Sequence, residues 1–168
     1  MTALQIEEIG AFTRKLFLET AFDGFWVKEA VIVTFNRFSI DGRIRPGFFN
    51  EEELEEMGIT EYALWRQLRP ICFSLIKGKR LPESFQITLQ LPKNQEEIFL
   101  KEKGLEHYRP EQISGLYLHI RYEGGDLKCV TGTSLTVFTM DRALEQGWDE
   151  YAAELLKSMG IAAIASTQ

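Results

Sequence analysis

The sequence predicts an α+β domain: a mostly antiparallel sheet of about five strands with four helices, in the order α-β-β-α-β-α-β-β-α. Three observations carry this. Two stretches near 84–91 and 116–122 alternate apolar and polar residues, the period of a half-buried strand. Glycine turn pairs, Asp41-Gly42 and Gly124-Gly125-Asp126, each separate two apolar runs and read as hairpins. Elsewhere apolar residues recur at three- and four-residue spacing, the period of a helix with one buried face.

Taken in order, Ile6, Ile9, Phe12 and Leu16 mark a first helix, stopped by Asp23-Gly24. A strand near 28–40 follows and returns near 43–49, turning at Asp41-Gly42, with Pro46 at an edge position. The apolar parity changes between Phe35 and Phe38, which requires a bulge at Asn36-Arg37 or a second turn there. Residues 51–56, EEELEE, form a solvated helical turn, and Thr60 is placed to cap the next helix. That helix carries Leu64, Leu68, Cys72 and Leu75 on one face, and Pro70 should kink it or split it in two. After the strand 84–91, Asn94 and Glu97 have capping-box spacing for a short helix ended by Gly104.

The next hairpin has two registers. A Gly124-Gly125 turn opposes Arg121 to Lys128, and a Gly125-Asp126 turn opposes Glu123 to Lys128; charge favours the second. Gly132 reads as a bulge before Leu135–Thr139 continues the sheet. Asp141 then caps a helix striped with Leu144, Trp148, Ala152 and Leu155. Residues 1–160 make one domain, and 161–168 form a tail expected to fray.

Composition excludes several classes. The two cysteines cannot staple a scaffold, and Cys72 and Cys129 read as reduced core residues of a cytoplasmic protein. No apolar run reaches the roughly 18 residues of a membrane span, and the start MTALQIEEIG lacks a signal peptide's basic region. A net charge of -6 gives no global reason to expect nucleic acid. Cys72, Cys129, His107 and His119 lack zinc-ligand spacing, so no metal is expected, and without a phosphate loop or dinucleotide fingerprint no cofactor either. Ser134 has no neighbouring base, and Asp141, Glu145, Asp149 and Glu150 read as a cap and a solvated helix face.

Two constellations remain. Tyr117, His119, Arg121 and Glu123 share one face of a strand. They are either the wet side of a hairpin or a small-molecule site in which Glu123 orients His119. The second is charge: residues 51–61 hold six acids and no base, whereas 62–81 hold Arg66, Arg69, Lys77, Lys79 and Arg80 and no acid. The helix dipole accounts for Lys77. Arg66 and Arg69 are expected to engage carboxylates, from EEELEE of the same chain or of a neighbouring subunit.

The runs LWRQLRPICFSLIKGKRLPESFQI and VTGTSLTVFTMDRALEQGWDE resemble a family of short bacterial proteins of unknown function. The resemblance implies a free-standing bacterial cytoplasmic protein and brings no activity, cofactor or catalytic residue. The sequence therefore reads as a non-catalytic binding or protein-interaction module that self-associates or takes a protein partner, with no membrane role. An enzyme built on Tyr117, His119, Arg121 and Glu123 is one alternative, and nucleic-acid binding through 66–80 is another.

Overall fold

A computed structural model describes residues 1–167, with Thr167 by its backbone alone. Along the chain run β1 (Thr2–Ile6), α1 (Ile9–Phe17), β2 (Trp26–Val33), β3 (Arg37–Asp41), α2 (Glu51–Met57) and α3 (Trp65–Ile76). There follow β4 (Ser84–Gln90), α4 (Lys93–Glu102), a 3-10 turn (Pro110–Gln112), β5 (Ile113–Glu123), β6 (Asp126–Leu135), α5 (Ala143–Ser158) and β7 (Ala163–Thr167). The class is α+β as expected, but the described residues form seven strands and five α-helices. Every pairing is antiparallel, in the order β3-β2-β4-β5-β6-β1-β7.

The two additional strands come from the chain ends. Ile6 closes β1 instead of opening a helix, and the tail expected to fray supplies β7, with Ala165 opposite Leu4. Gln168 lies outside the described residues. Between β2 and β3 the turn falls at Thr34–Asn36, where the Thr34 N–H donates to the Asn36 carbonyl at 2.9 Å, so the second-turn reading holds. Asp41-Gly42 is not a hairpin turn, and 43–49 does not return as a strand. A Cβ on Gly42 would stand 1.7 Å from the Val27 carbonyl oxygen, so this glycine is required by close backbone approach.

In the β5–β6 hairpin the favoured register is also corrected. Gly124 and Gly125 take φ of +58° and +76°, which places Arg121 opposite Lys128 and Glu123 opposite Asp126. A two-residue turn with both φ positive suits two glycines. Lys128 offsets the like-charge contact by pairing with Asp126 at 3.4 Å. The register runs unbroken past Gly132, so no bulge forms there, and β6 stops at Leu135.

Among the helices, α3 is continuous through Pro70, which sits on its exposed side and does not divide it. Thr60 does not cap it; the Leu64 N–H instead donates to Gln67 Oε1 at 2.9 Å. The Asn94–Glu97 capping box is likewise absent, and α4 starts directly after Pro92. At the head of α5 the N-cap is Arg142, not Asp141 as expected; Asp141, one residue earlier, accepts from the Ala143 N–H through Oδ1 at 2.9 Å.

One face of the sheet holds the core. Phe12, Leu16, Trp65, Cys72, Phe99, Trp148 and Leu156 from the helices meet Leu4, Ile87, Leu118, Ile120 and Cys129 from the strands. Burial pushes both thiols up to about 12. On the opposite face Glu29, Gln86, Arg121 and Lys128 are exposed, whereas Ala3, Trp26, Val31, Thr88, Gln90 and Val130 are buried. No helix among the described residues is long and apolar enough to cross a membrane.

Candidate functional site

Strand alternation brings Tyr117, His119, Arg121 and Glu123 to the open face of β5, as the sequence requires. Tyr117 and His119 lie nearly parallel, ring centroids 5.8 Å apart at 28°. Two glycines make room for them: a Cβ on Gly115 would meet the Tyr117 ring at 2.3 Å, and one on Gly132 would meet His119 Nε2 at 3.0 Å. Both glycines thus seat aromatic rings against the strands. His119 Nδ1 lies 3.2 Å from the Thr88 hydroxyl. Burial, and secondarily the Arg121 charge, hold the imidazole below its ordinary pKa, so it is neutral at pH 7. Glu123 stands one alternating position beyond Arg121 and two beyond His119, at the hairpin turn opposite Asp126, while the hydrogen-bond partner of His119 is Thr88.

Three further residues of this face were not singled out in the sequence. The irregularity in β2 between Val27 and Glu29 accommodates Lys28 as an extra residue. Lys28 Nζ is 3.1 Å from the Tyr62 hydroxyl and lies over both the Tyr62 ring (5.1 Å) and the Tyr117 ring (5.9 Å). Trp26 packs on Tyr62 at 5.5 Å. An unpaired register position in β2 has no signature in hydropathy, so only the coordinates join Lys28 to Tyr117. The group offers ring faces and a cation, which suits stacking or anion contact.

The basic segment divides into two parts. Arg69 clasps Asp23 with both ends of its fork, Nε to Oδ1 at 2.8 Å and Nη2 to Oδ2 at 3.0 Å. Arg66 donates through Nη2 to the Met57 carbonyl at 2.6 Å, at the C-terminus of α2. Of the expectation that both arginines engage carboxylates, from EEELEE of this chain or of a neighbouring subunit, only Arg69 meets a carboxylate within the chain, and it is Asp23 and not EEELEE; Arg66 takes a carbonyl. The reason is orientation, since α2 turns its last carbonyls toward the first turn of α3 and its side chains toward water. Asn50 and Glu53 close a capping box at its start. Glu51, Glu52, Glu55 and Glu56 are exposed and form no ion pair among the described residues.

At the other end of α3, Lys77, Lys79 and Arg80 are also exposed and unpaired among the described residues. They line a cleft of about 600 Å³ with Phe35, Ser74 and Leu81. Phe35 is 87% and Leu81 83% exposed, unusual for side chains this large. Near α2, Phe48 and Phe49 line a smaller groove with Ile44, Ile59, Gln67 and Leu68, and with Asp41, Arg43 and Arg45 at its charged side.

The acids near Trp148 are partnered. Asp141 accepts from Tyr108 at 2.8 Å and lies 3.3 Å from His107 Nε2; with the Ala143 N–H as the largest cause, its carboxyl is held below the usual range. Glu145 and Asp149 flank the Met1 ammonium, and Glu150 and Glu154 flank Lys103.

The fold and its surfaces thus define a two-layer α+β protein with a covered and an open sheet face. The chain belongs to DUF5721, a family of unknown function, whose model matches residues 15–163. No curated protein and no solved structure matches the chain.

Proposed function

We propose that the protein is a non-catalytic interaction module that docks an acidic, apolar-bearing protein segment at the basic end of α3. The supporting observation is the coincidence of three cations without an ion pair among the described residues, Lys77, Lys79 and Arg80, with two almost fully exposed apolar side chains, Phe35 and Leu81, in a cleft that Glu83 also lines. Cations steer an acidic segment and set its register, while burying Phe35 and Leu81 supplies binding energy. The buried free thiols Cys72 and Cys129 suit a reducing compartment such as the bacterial cytoplasm implied by the family resemblance. The enzyme reading is weaker, because the neutral His119 has a threonine where a general base needs an orienting acceptor for its imidazolium.

Fluorescence titration with a synthetic peptide FFNEEELEEM, which combines acids with aromatics, tests this. Binding that weakens as salt rises, and is lost in Lys77→Glu/Lys79→Glu/Arg80→Glu, is the expected result. Binding of a single-stranded oligonucleotide, with none of the peptide, would replace this reading by a nucleic-acid one.

A further inference from the structure

We infer that the partner is a second copy of this chain, docked through an antiparallel pairing of α3 with its two-fold mate. The inference deepens the interaction reading above and rests on it. Its starting point is the outward stripe of α3: Gln67, Pro70, Ile71 and Ser74 stand at positions i, i+3, i+4 and i+7 and so share one side of the helix. None is charged. Ile71 is 52% exposed, and Pro70 and Ser74 are exposed beside it. Two helices approach to about 8–10 Å only where the contact carries no long charged side chains, and this stripe meets that requirement.

The two ends of the stripe are complementary to each other. Gln67 borders the groove of Phe48 and Phe49 next to acidic α2. Ser74 borders the cleft that holds Phe35, Leu81, Lys77, Lys79 and Arg80. Each end therefore presents exposed aromatic surface; the α2 end is rich in acids, although Arg43 and Arg45 also line its groove, and the other end is rich in bases, although Glu83 also lines its cleft. Within one chain the two ends are separated by the twelve residues of α3, about 18 Å of helix, and they do not pair. Rotation about a two-fold axis near Pro70 and Ile71 reverses the second helix. It sets Glu52, Glu55 and Glu56 of each copy against the cations of the other, and Phe48 against Phe35 and Leu81.

This arrangement is isologous: one patch serves both copies, and the assembly closes as a dimer without propagating. Single exposed ion pairs contribute little, but two reciprocal clusters around a desolvated apolar centre act together. A head-to-tail contact between acid and base ends would use the same charges but would build a chain of copies, and the central uncharged stripe would stay wet.

Sedimentation velocity of the full chain up to about 100 µM tests this, with Kd read from the concentration dependence. The parent is expected to populate a dimer that weakens at least about tenfold at high salt. Ile71→Arg, Lys77→Glu/Lys79→Glu/Arg80→Glu and Glu52→Lys/Glu55→Lys/Glu56→Lys should each sediment as monomers with unchanged circular dichroism. Mixing the two charge-reversed chains should restore a dimer, because each then supplies the sign its mate lacks. A parent that stays monomeric, a dimer indifferent to all three variants, or a mixture that remains monomeric would overturn the proposal. Larger species growing with concentration would also overturn it, in favour of head-to-tail association. A monomeric parent that still binds the acidic peptide would sink the self-pairing and leave the interaction reading standing; a parent that does neither would remove both.

Discussion

Helices α3 and α5 solve the same problem inside the molecule and different problems outside it. Each buries a tryptophan completely and satisfies its indole N–H with a backbone carbonyl: Trp65 donates to Leu16 at 2.7 Å, and Trp148 to Tyr117 at 2.9 Å. Each ring packs edge-on to a phenylalanine, Phe17 for Trp65 and Phe99 for Trp148. On the outside they part. From α5, Glu150 and Glu154 reach Lys103, a solvated ion-paired surface. The stripe Gln67, Pro70, Ile71 and Ser74 of α3 carries no charge, and beyond it Lys77, Lys79 and Arg80 form no ion pair among the described residues. Matching inner faces account for the fold, and the outer faces are where the proposed pairing of α3 would act.

The largest effects should confirm the likeness of the inner faces. Trp65→Ala and Trp148→Ala should each lower stability by about 3–5 kcal/mol in urea titrations, as buried large-to-small changes do. A loss for one several times that for the other would break the equivalence of the two helices. Next come the arginines of α3. Arg69→Ala should cost about 1.5–3 kcal/mol, since it removes a two-pronged, largely buried contact with Asp23. Arg66→Ala, at an exposed site, should stay within about 0.5 kcal/mol in the same assay.

A smaller effect separates the two halves by pH. Glu96 on α4 is fully buried, and its nearest cation is Lys93 at 3.2 Å. Burial raises its pKa and Lys93 only partly opposes this, so the folded state holds the proton above the usual 4.5. The raised folded pKa means its contribution is present at low pH and is lost as pH rises through the folded value. Glu96→Gln should therefore stabilise the protein at pH 7 by about 1 kcal/mol, with the gain disappearing near pH 4 in thermal melts.

The opposite sign belongs to His119, whose folded pKa is lowered. Its contribution is present above the ordinary value of 6.5 and is lost as pH falls toward the folded value. His119→Gln should flatten the stability profile in that window, read by urea midpoints at pH 7 and below. An unchanged profile would show that Thr88 and the rings around it leave His119 as solvated as in the unfolded chain.

How legible each part was depends on the range of the interactions that specify it. β4 and α5 are specified by local periodicity: the strand over 84–90 and the buried Leu144, Trp148 and Ala152 appear as read, while Leu156 is buried where Leu155 is expected, and Thr88 and Gln90 are buried on the polar side of β4. β1 and β7 are five residues each and pair with one another across the length of the chain, so no local pattern announces them. Asp41-Gly42 misled because a glycine demanded by the Val27 carbonyl looks the same in sequence as one demanded by a turn. The cations 77–80 were visible as a charge block. Their setting was not, because the exposure of Phe35, Leu81 and Ile71 is decided by what fails to pack on them. Lys28 and Tyr62 joined Tyr117 only through a register irregularity.

The outer faces can be compared directly by placing one cysteine on each helix, Ile71→Cys on α3 and Glu154→Cys on α5, and oxidising the two proteins in parallel. Cys72 and Cys129 are fully buried with thiols pushed up to about 12, so both stay silent. A disulfide needs Cβ atoms about 3.5–4.5 Å apart, a distance that two copies of position 71 would reach if α3 pairs with itself as proposed. Covalent dimer from Ile71→Cys and monomer from Glu154→Cys, on non-reducing gels, is the predicted result. Equal cross-linking of both, or cross-linking of Glu154→Cys alone, would contradict the pairing of α3 with itself.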